Sequence, residues 1–147
     1  MRDLPQGQWW VLTALPAVWL ADSGAYLIGR AWGRHKMAPS ISPGKTWEGY
    51  VGGVILGAPL TAGLAALWGQ WAGPGGPTVL EGLILGLIVA AVSPLGDLAV
   101  SMVKREMGVK DTGGLFPGHG GALDRVDSTL WAAVIGYYFA VWIHRLL

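Results

Sequence analysis

SMVKREMGVKDTGGLFPGHGGALDRVD, residues 101–127, is the most polar stretch of a very apolar chain. It carries four cations (Lys104, Arg105, Lys110, Arg125), four acids (Glu106, Asp111, Asp124, Asp127), one histidine and six glycines. A long hydrophobic segment flanks it on each side. Charged residues make up only 13% of the 147-residue chain, whereas soluble domains carry about 25%. Hydrophobic residues reach 52%, and the mean hydropathy is +0.46. That balance argues against a soluble domain and predicts an integral membrane protein. Charge and glycine concentrated between two spans predict a site for a charged ligand.

Working outward, the pattern predicts an all-α fold, a polytopic transmembrane bundle of about four to five membrane helices with a polar site on its cytoplasmic side. The first span covers about residues 9–29, with Trp9 and Trp10 at the interface, Pro16 as a kink and Asp22 near the far end. A basic loop follows, with Arg30, Arg34, His35, Lys36 and Lys45 around the turn signal Ser42-Pro43-Gly44. The second span covers about residues 47–71; Gly49, Gly53 and Gly57 at four-residue spacing predict close helix packing rather than ligand binding. The loop 73–77 is uncharged. The third span starts near Val79 and continues past Asp97 toward Met107, and the last covers about residues 128–142. Strand signals are weak. No linker divides the chain, so residues 1–147 are expected to form one domain. The absence of cysteine excludes disulfides and thiolate metal sites. No cleavable signal peptide is expected.

If four helices alternate, Arg30, Arg34, Lys36, Lys45, Lys104, Arg105, Lys110 and Arg125 fall on one side, and only Arg2 and Arg145 on the other. The positive-inside rule makes the first side cytoplasmic and places both ends of this chain outside. Glu81 and Asp97 lie sixteen residues apart, ~24 Å along a helix. With Glu81 near the outer interface, Asp97 comes to the inner edge, the level expected of Asp22, Asp124 and Asp127. Four carboxylates at one depth are costly beside lipid and call for cations. Asp97 and Ser101 share a helix face that continues to Lys104 and Arg105. Carboxylates from two helices suit Mg2+, with room for a second cation. Plainer roles stay open here: a helix cap for Asp124, Arg125 and Asp127, and a membrane-surface anchor for Lys104 and Arg105. Gly113-Gly114 and Gly118-His119-Gly120-Gly121 offer backbone N–H groups to anions, with His119 either a phosphate donor or a turn residue. No Walker A sequence, zinc motif or Ser-His-Asp arrangement is present, and no nucleic-acid partner is expected.

Ser101, Lys104-Arg105, Lys110-Asp111, Pro117, His119-Gly120-Gly121, Asp124-Arg125 and Asp127 together resemble the signature of the phosphatidate cytidylyltransferase (CDP-diacylglycerol synthase) family, in its C-terminal catalytic part. Asp22-Ser23-Gly24-Ala25-Tyr26, Ser42-Pro43-Gly44-Lys45-Thr46-Trp47-Glu48-Gly49 and Gly96-Asp97-Leu98 agree in the same order. The resemblance implies transfer of CMP from CTP to phosphatidic acid, giving CDP-diacylglycerol and pyrophosphate with Mg2+ as cofactor. It implies that Asp97 and Asp124 are metal ligands with Asp127 a third, and that Lys104, Arg105, Lys110 and Arg125 hold phosphates. Ser42 and Lys45 would act at the substrate phosphate. Asp22, Ser101, Asp111, His119, Gly120 and Gly121 complete the implied substrate-binding set. It further implies a bacterial inner-membrane enzyme whose active site faces the cytoplasm.

Two departures stand out. Ala122 replaces a larger aliphatic residue, a small packing change. Family members also carry several spans before the segment that begins near Trp9. This chain is therefore expected to lack the family's N-terminal transmembrane helices, leaving a homodimer, or helices supplied by another chain, as partners. A CTP-dependent lipid-alcohol kinase, a cation pathway and a catalytically inactive interaction subunit are the competing functions.

Overall fold

Each long apolar stretch folds as one uninterrupted helix, since backbone polar groups surrounded by apolar material must be paired within the segment itself. The computed structural model describes Leu4 and residues 6–109 and 123–146, with 123–127 and 146 as backbone only. Among the described residues there are four helices: α1 (Gly7–Trp32), α2 (Trp47–Ala72), α3 (Val79–Glu106) and α4 (Leu123–Leu146). The first three are long and apolar enough to cross a membrane. At ~1.5 Å per residue, a 26-residue helix such as α1 exceeds a ~30 Å hydrocarbon core. α1 runs through Pro16, α2 through Pro59 and α3 through Pro94.

The helix ends are written into local chemistry. The Thr46 hydroxyl caps α2 by accepting from Gly49 N at 3.2 Å. α3 opens with a capping box: Thr78 Oγ1 accepts from Glu81 N at 3.3 Å, and Glu81 Oε2 accepts from Thr78 N at 2.8 Å. Lys104 and Arg105 in its last turn complement the negative end of the helix dipole.

Successive helices pack antiparallel. Trp68 Nε1 donates to Leu12 O at 3.1 Å, tying the end of α2 to the start of α1, and Tyr50 Oη donates to Ala91 O at 2.9 Å between α2 and α3. The α1–α2 seam is made of small residues, as expected for Gly49, Gly53 and Gly57, all of which are buried. A Cβ on Gly57 would lie 2.9 Å from Ala21 Cα. α4 returns along α1, with Trp10 against Phe139 at 6.0 Å between ring centroids, and along α3, where Gly96 lies under the Trp131 indole. Trp10, Val18, Leu85, Val89 and Phe139 are central to the buried core.

One expectation fails. Residues 36–46 are not an irregular loop: β1 (Lys36–Ala38) and β2 (Ser42–Thr46) form an antiparallel hairpin, with Lys36 opposite Thr46 and Ala38 opposite Ser42. Ser42-Pro43-Gly44, expected as the turn, lies in β2; the chain reverses at 39–41, where Ile41 N donates to Ala38 O at 3.2 Å. In a two-stranded hairpin both strands are edges, so Pro43 is tolerated without its N–H. The hairpin sits where α1 and α3 end and where α2 and α4 begin.

Candidate functional site

A cavity of about 550 Å³ opens at this end of the bundle. The last three turns of α1 form one wall with Asp22, Tyr26 and Arg30; the hairpin forms another with Lys36, Ser42 and Lys45; Tyr50 and Pro94 close it from α2 and α3. Gly29, Gly33 and Gly49 also line it and are closely packed there: a Cβ on Gly49 would lie 2.8 Å from Ala25 O, and one on Gly29 would lie 3.1 Å from Thr46 Oγ1. Arg30 Nη1 donates to Tyr26 Oη at 3.1 Å, which holds the guanidinium at the cavity wall.

Lys45 is the central group. Its ammonium pairs with Asp97 Oδ2 at 2.6 Å and donates to Pro94 O at 3.0 Å. Tyr50 Oη and Lys45 Nζ thus add side-chain donors to two carbonyls of the same α3 turn, Ala91 O and Pro94 O, next to Ala90 O, which loses its helical partner because Pro94 has no N–H. The side chains of Lys45 and Asp97 are 24% and 30% exposed, so the pair is partly withdrawn from water yet reachable by a ligand. Partial burial strengthens it relative to a fully solvated pair.

Two further contacts hold the hairpin. At its base, the Glu48 carboxylate accepts from Arg34 N at 3.1 Å and His35 N at 3.2 Å and meets His35 Nδ1 at 2.5 Å, while Trp47 N donates to His35 O at 2.9 Å. At its tip, Arg105 Nε donates to Ile41 O at 3.4 Å.

Of the residues singled out in the sequence, Asp22, Ser42 and Lys45 line one cavity, and Asp97 joins it through Lys45. Ser101 lies one turn beyond Asp97 on α3, half-buried, with Lys104 half-buried and Arg105 exposed beyond it. Asp124, Arg125 and Asp127 occupy the first turns of α4. The Gly96–Trp131 contact fixes the axial level: Asp127 is one turn, ~6 Å, from Trp131 toward the end that carries the site. Lys110, Asp111, His119, Gly120 and Gly121 lie outside the described residues. Among the described residues there is no group of three or more candidate metal ligands. Ser93, buried one turn before Asp97, has a hydroxyl without a hydrogen-bond partner among the described residues.

Sequence reasoning missed the wall made by Tyr26, Arg30 and Tyr50, the second cation at Lys36, and the Glu48 clamp. Arg30 and Lys36 counted only toward topology. A signal was present: Asp22, Tyr26 and Arg30 recur every four residues, a polar ladder on one face of an otherwise apolar helix.

The model of the cytidylyltransferase family matches residues 1–143. The chain belongs to this family. Similar relatives include the phosphatidate cytidylyltransferase of Haemophilus influenzae, 45% identical over 138 residues, which is 94% of this chain and 48% of the relative. That of Synechocystis is 44% identical over 141 residues, 95% of this chain and 46% of the relative. That of Mycobacterium bovis is 41% identical over 131 residues, 89% of this chain and 41% of the relative. The chain thus spans about half the length of the curated relatives it matches or somewhat less.

Proposed function

We propose that the chain carries the catalytic site of a phosphatidate cytidylyltransferase, transferring CMP from CTP to phosphatidic acid. The relatives bear that name, and every described candidate cation of the site lies at the end of the bundle where Asp97 does. The observation that carries the reading is the Lys45–Asp97 pair: it joins the hairpin to α3 at the wall of a cavity built on a membrane-crossing helix.

The chemistry asks for positioning rather than for an activated side-chain nucleophile. A phosphate oxygen of the lipid attacks the α-phosphorus of CTP in line, the α–β bridging P–O bond breaks, and pyrophosphate leaves. The lipid phosphate is already anionic, so the barrier lies in bringing anions together and in charge on the leaving group. Lys45 would face the approaching phosphates, with Lys104, Arg105, Lys110 and Arg125 toward the triphosphate. Ser42 of the hairpin would donate to a phosphate oxygen.

The donor chemistry around Asp97 fits Mg2+. Its carboxylate is reachable, Ser93 offers a hydroxyl oxygen one turn away, and both are hard oxygen donors. Asp97 with Asp124 and Asp127 would hold the ion, which supplies charge neutralisation at the triphosphate and pyrophosphate, with room for a second cation. The site would face the cytoplasm of a bacterial inner membrane, where CTP is found.

The test is CTP-dependent formation of CDP-diacylglycerol in membranes containing the chain, with pyrophosphate measured as co-product. Release of CDP instead of pyrophosphate would mark a kinase. Asp97→Asn and Asp124→Ala are each expected to abolish turnover; full activity in either would remove that residue from the site.

A further inference from the structure

We propose that Arg30 and Lys36 clamp the phosphomonoester head of a lipid at the cation-lined end of the cavity, across Lys45 from Asp97. The reaction this would serve rests on the function proposed above; the binding itself does not.

The shape points to a lipid. Asp22, Ala25, Tyr26, Gly29 and Arg30 form one face of α1, extending over eight residues or ~12 Å along the helix, and Gly33 follows at its C-terminal cap. α1 is long and apolar enough to span a bilayer, so this groove runs in the direction of acyl chains. A triphosphate gains nothing from the apolar lining between the cations and Asp22, made by Ala25, Gly29, Met37 and Pro94, whereas the glycerol and first methylenes of an acyl-glycerol phosphate fit it.

The charge points to an anion at one end. Arg30, Lys36 and Lys45 line the cavity near the hairpin, while Asp22 lines it eight residues, or ~12 Å, deeper along α1. A dianion is drawn to the three cations and repelled from the carboxylate, so its position along the groove is set. Arg30 spends one N–H on Tyr26 and keeps a planar fork for phosphate oxygens. Lys45 both lines the cavity and pairs with Asp97, so a phosphate held by Arg30 and Lys36 lies beside the Asp97 site.

Cations near a membrane surface also attract any anionic lipid without specificity. The chemistry separates the two: a clamp prefers phosphatidic acid, a monoester that can carry two charges, over phosphatidylglycerol, a diester with one.

The experiment uses the full chain in nanodiscs with short-chain phosphatidic acid, phosphatidylglycerol, inorganic phosphate and CTP as separate probes, binding being read by native mass spectrometry. The wild type is expected to retain phosphatidic acid over phosphatidylglycerol. Arg30→Gln and Lys36→Gln should each weaken phosphatidic acid about tenfold, the value of one charge-assisted hydrogen bond, and leave CTP unchanged. Arg30→Lys, which keeps the charge and loses the fork, should fall between. Both positions are exposed, so the variants should keep the wild-type unfolding midpoint. The clamp is overturned if the wild type shows no preference, if both lipids weaken equally, if CTP weakens instead, if neither variant changes anything, or if inorganic phosphate competes as well as the lipid. A chain that binds phosphatidic acid through Arg30 and Lys36 yet forms no CDP-diacylglycerol would keep the clamp and reject the cytidylyl transfer.

Discussion

Lys45 reaches from a hairpin to a carboxylate 52 positions away in the chain, and no local pattern announces that contact. Sequence reasoning placed both residues in the site by different routes, Lys45 at a phosphate and Asp97 at a metal, without pairing them. The pair is formed by topology: the hairpin ends where α2 begins, and α2 packs against α3 so that Tyr50 and Lys45 both meet the turn before or at Pro94. Removing the ammonium leaves a half-buried carboxylate uncompensated. Lys45→Met is therefore expected to cut turnover by ~100-fold or more, as loss of a charge-stabilising donor does. It should lower stability by only about 1 kcal/mol, since both groups keep some water. In the double variant with Asp97→Asn the stability losses should not add, because either change alone breaks the contact. Additive losses in thermal unfolding would mean that the two side chains act separately.

At the scale of elements, the helices were legible and the hairpin was not. Long apolar runs and glycines at four-residue spacing each carry a local physical meaning, so α2 and α3 begin near Trp47 and Val79 as expected; the Thr46 and Thr78 caps that fix those starts were not singled out in the sequence. The hairpin carries no alternation of apolar and polar residues, and Pro43 and Gly44 argue for a turn. It exists because Glu48 fastens its base and Lys45 and Arg105 fasten its face and tip. Glu48→Ala is expected to speed hydrogen exchange at the Arg34 and His35 amides and to raise KM for substrate more than it lowers kcat, since the hairpin remains but its cations wander. Unchanged exchange at these amides would show that the hairpin holds itself. The glycine seams make a second prediction. A Cβ on Gly86 would stand 2.7 Å from Thr61 Cβ and 2.9 Å from Ala58 Cα, whereas one on Gly63 meets nothing within 4 Å. Gly86→Val should destabilise by roughly 1–3 kcal/mol through overpacking, while Gly63→Ala should leave the unfolding midpoint unchanged or raise it. Equal midpoints for the two variants would mean that α2 and α3 slide apart at little cost.

Across the whole molecule, charge and topology agree. Arg30, Arg34, Lys36, Lys45, Lys104 and Arg105 lie at the hairpin end, and Arg145 closes α4 at the other, where Trp10 meets His144. This asymmetry was readable in the sequence because alternating spans sort loops between two sides, whatever the details of packing. The positive-inside rule predicts that the hairpin end is the cytoplasmic one, and the proposed reaction needs that same side, since CTP does not cross a bilayer unaided. The chain has no cysteine, so single reporters carry no background. Ser40→Cys in the hairpin turn and Gln8→Cys in the first turn of α1 are both exposed and stand at opposite ends. A membrane-impermeant maleimide should label Ser40→Cys only in inside-out vesicles and Gln8→Cys only in right-side-out ones. The reverse pattern would put the Lys45–Asp97 site on the face that CTP does not reach. Cytidylyl transfer by this bundle would then be untenable, however well its residues suit the chemistry.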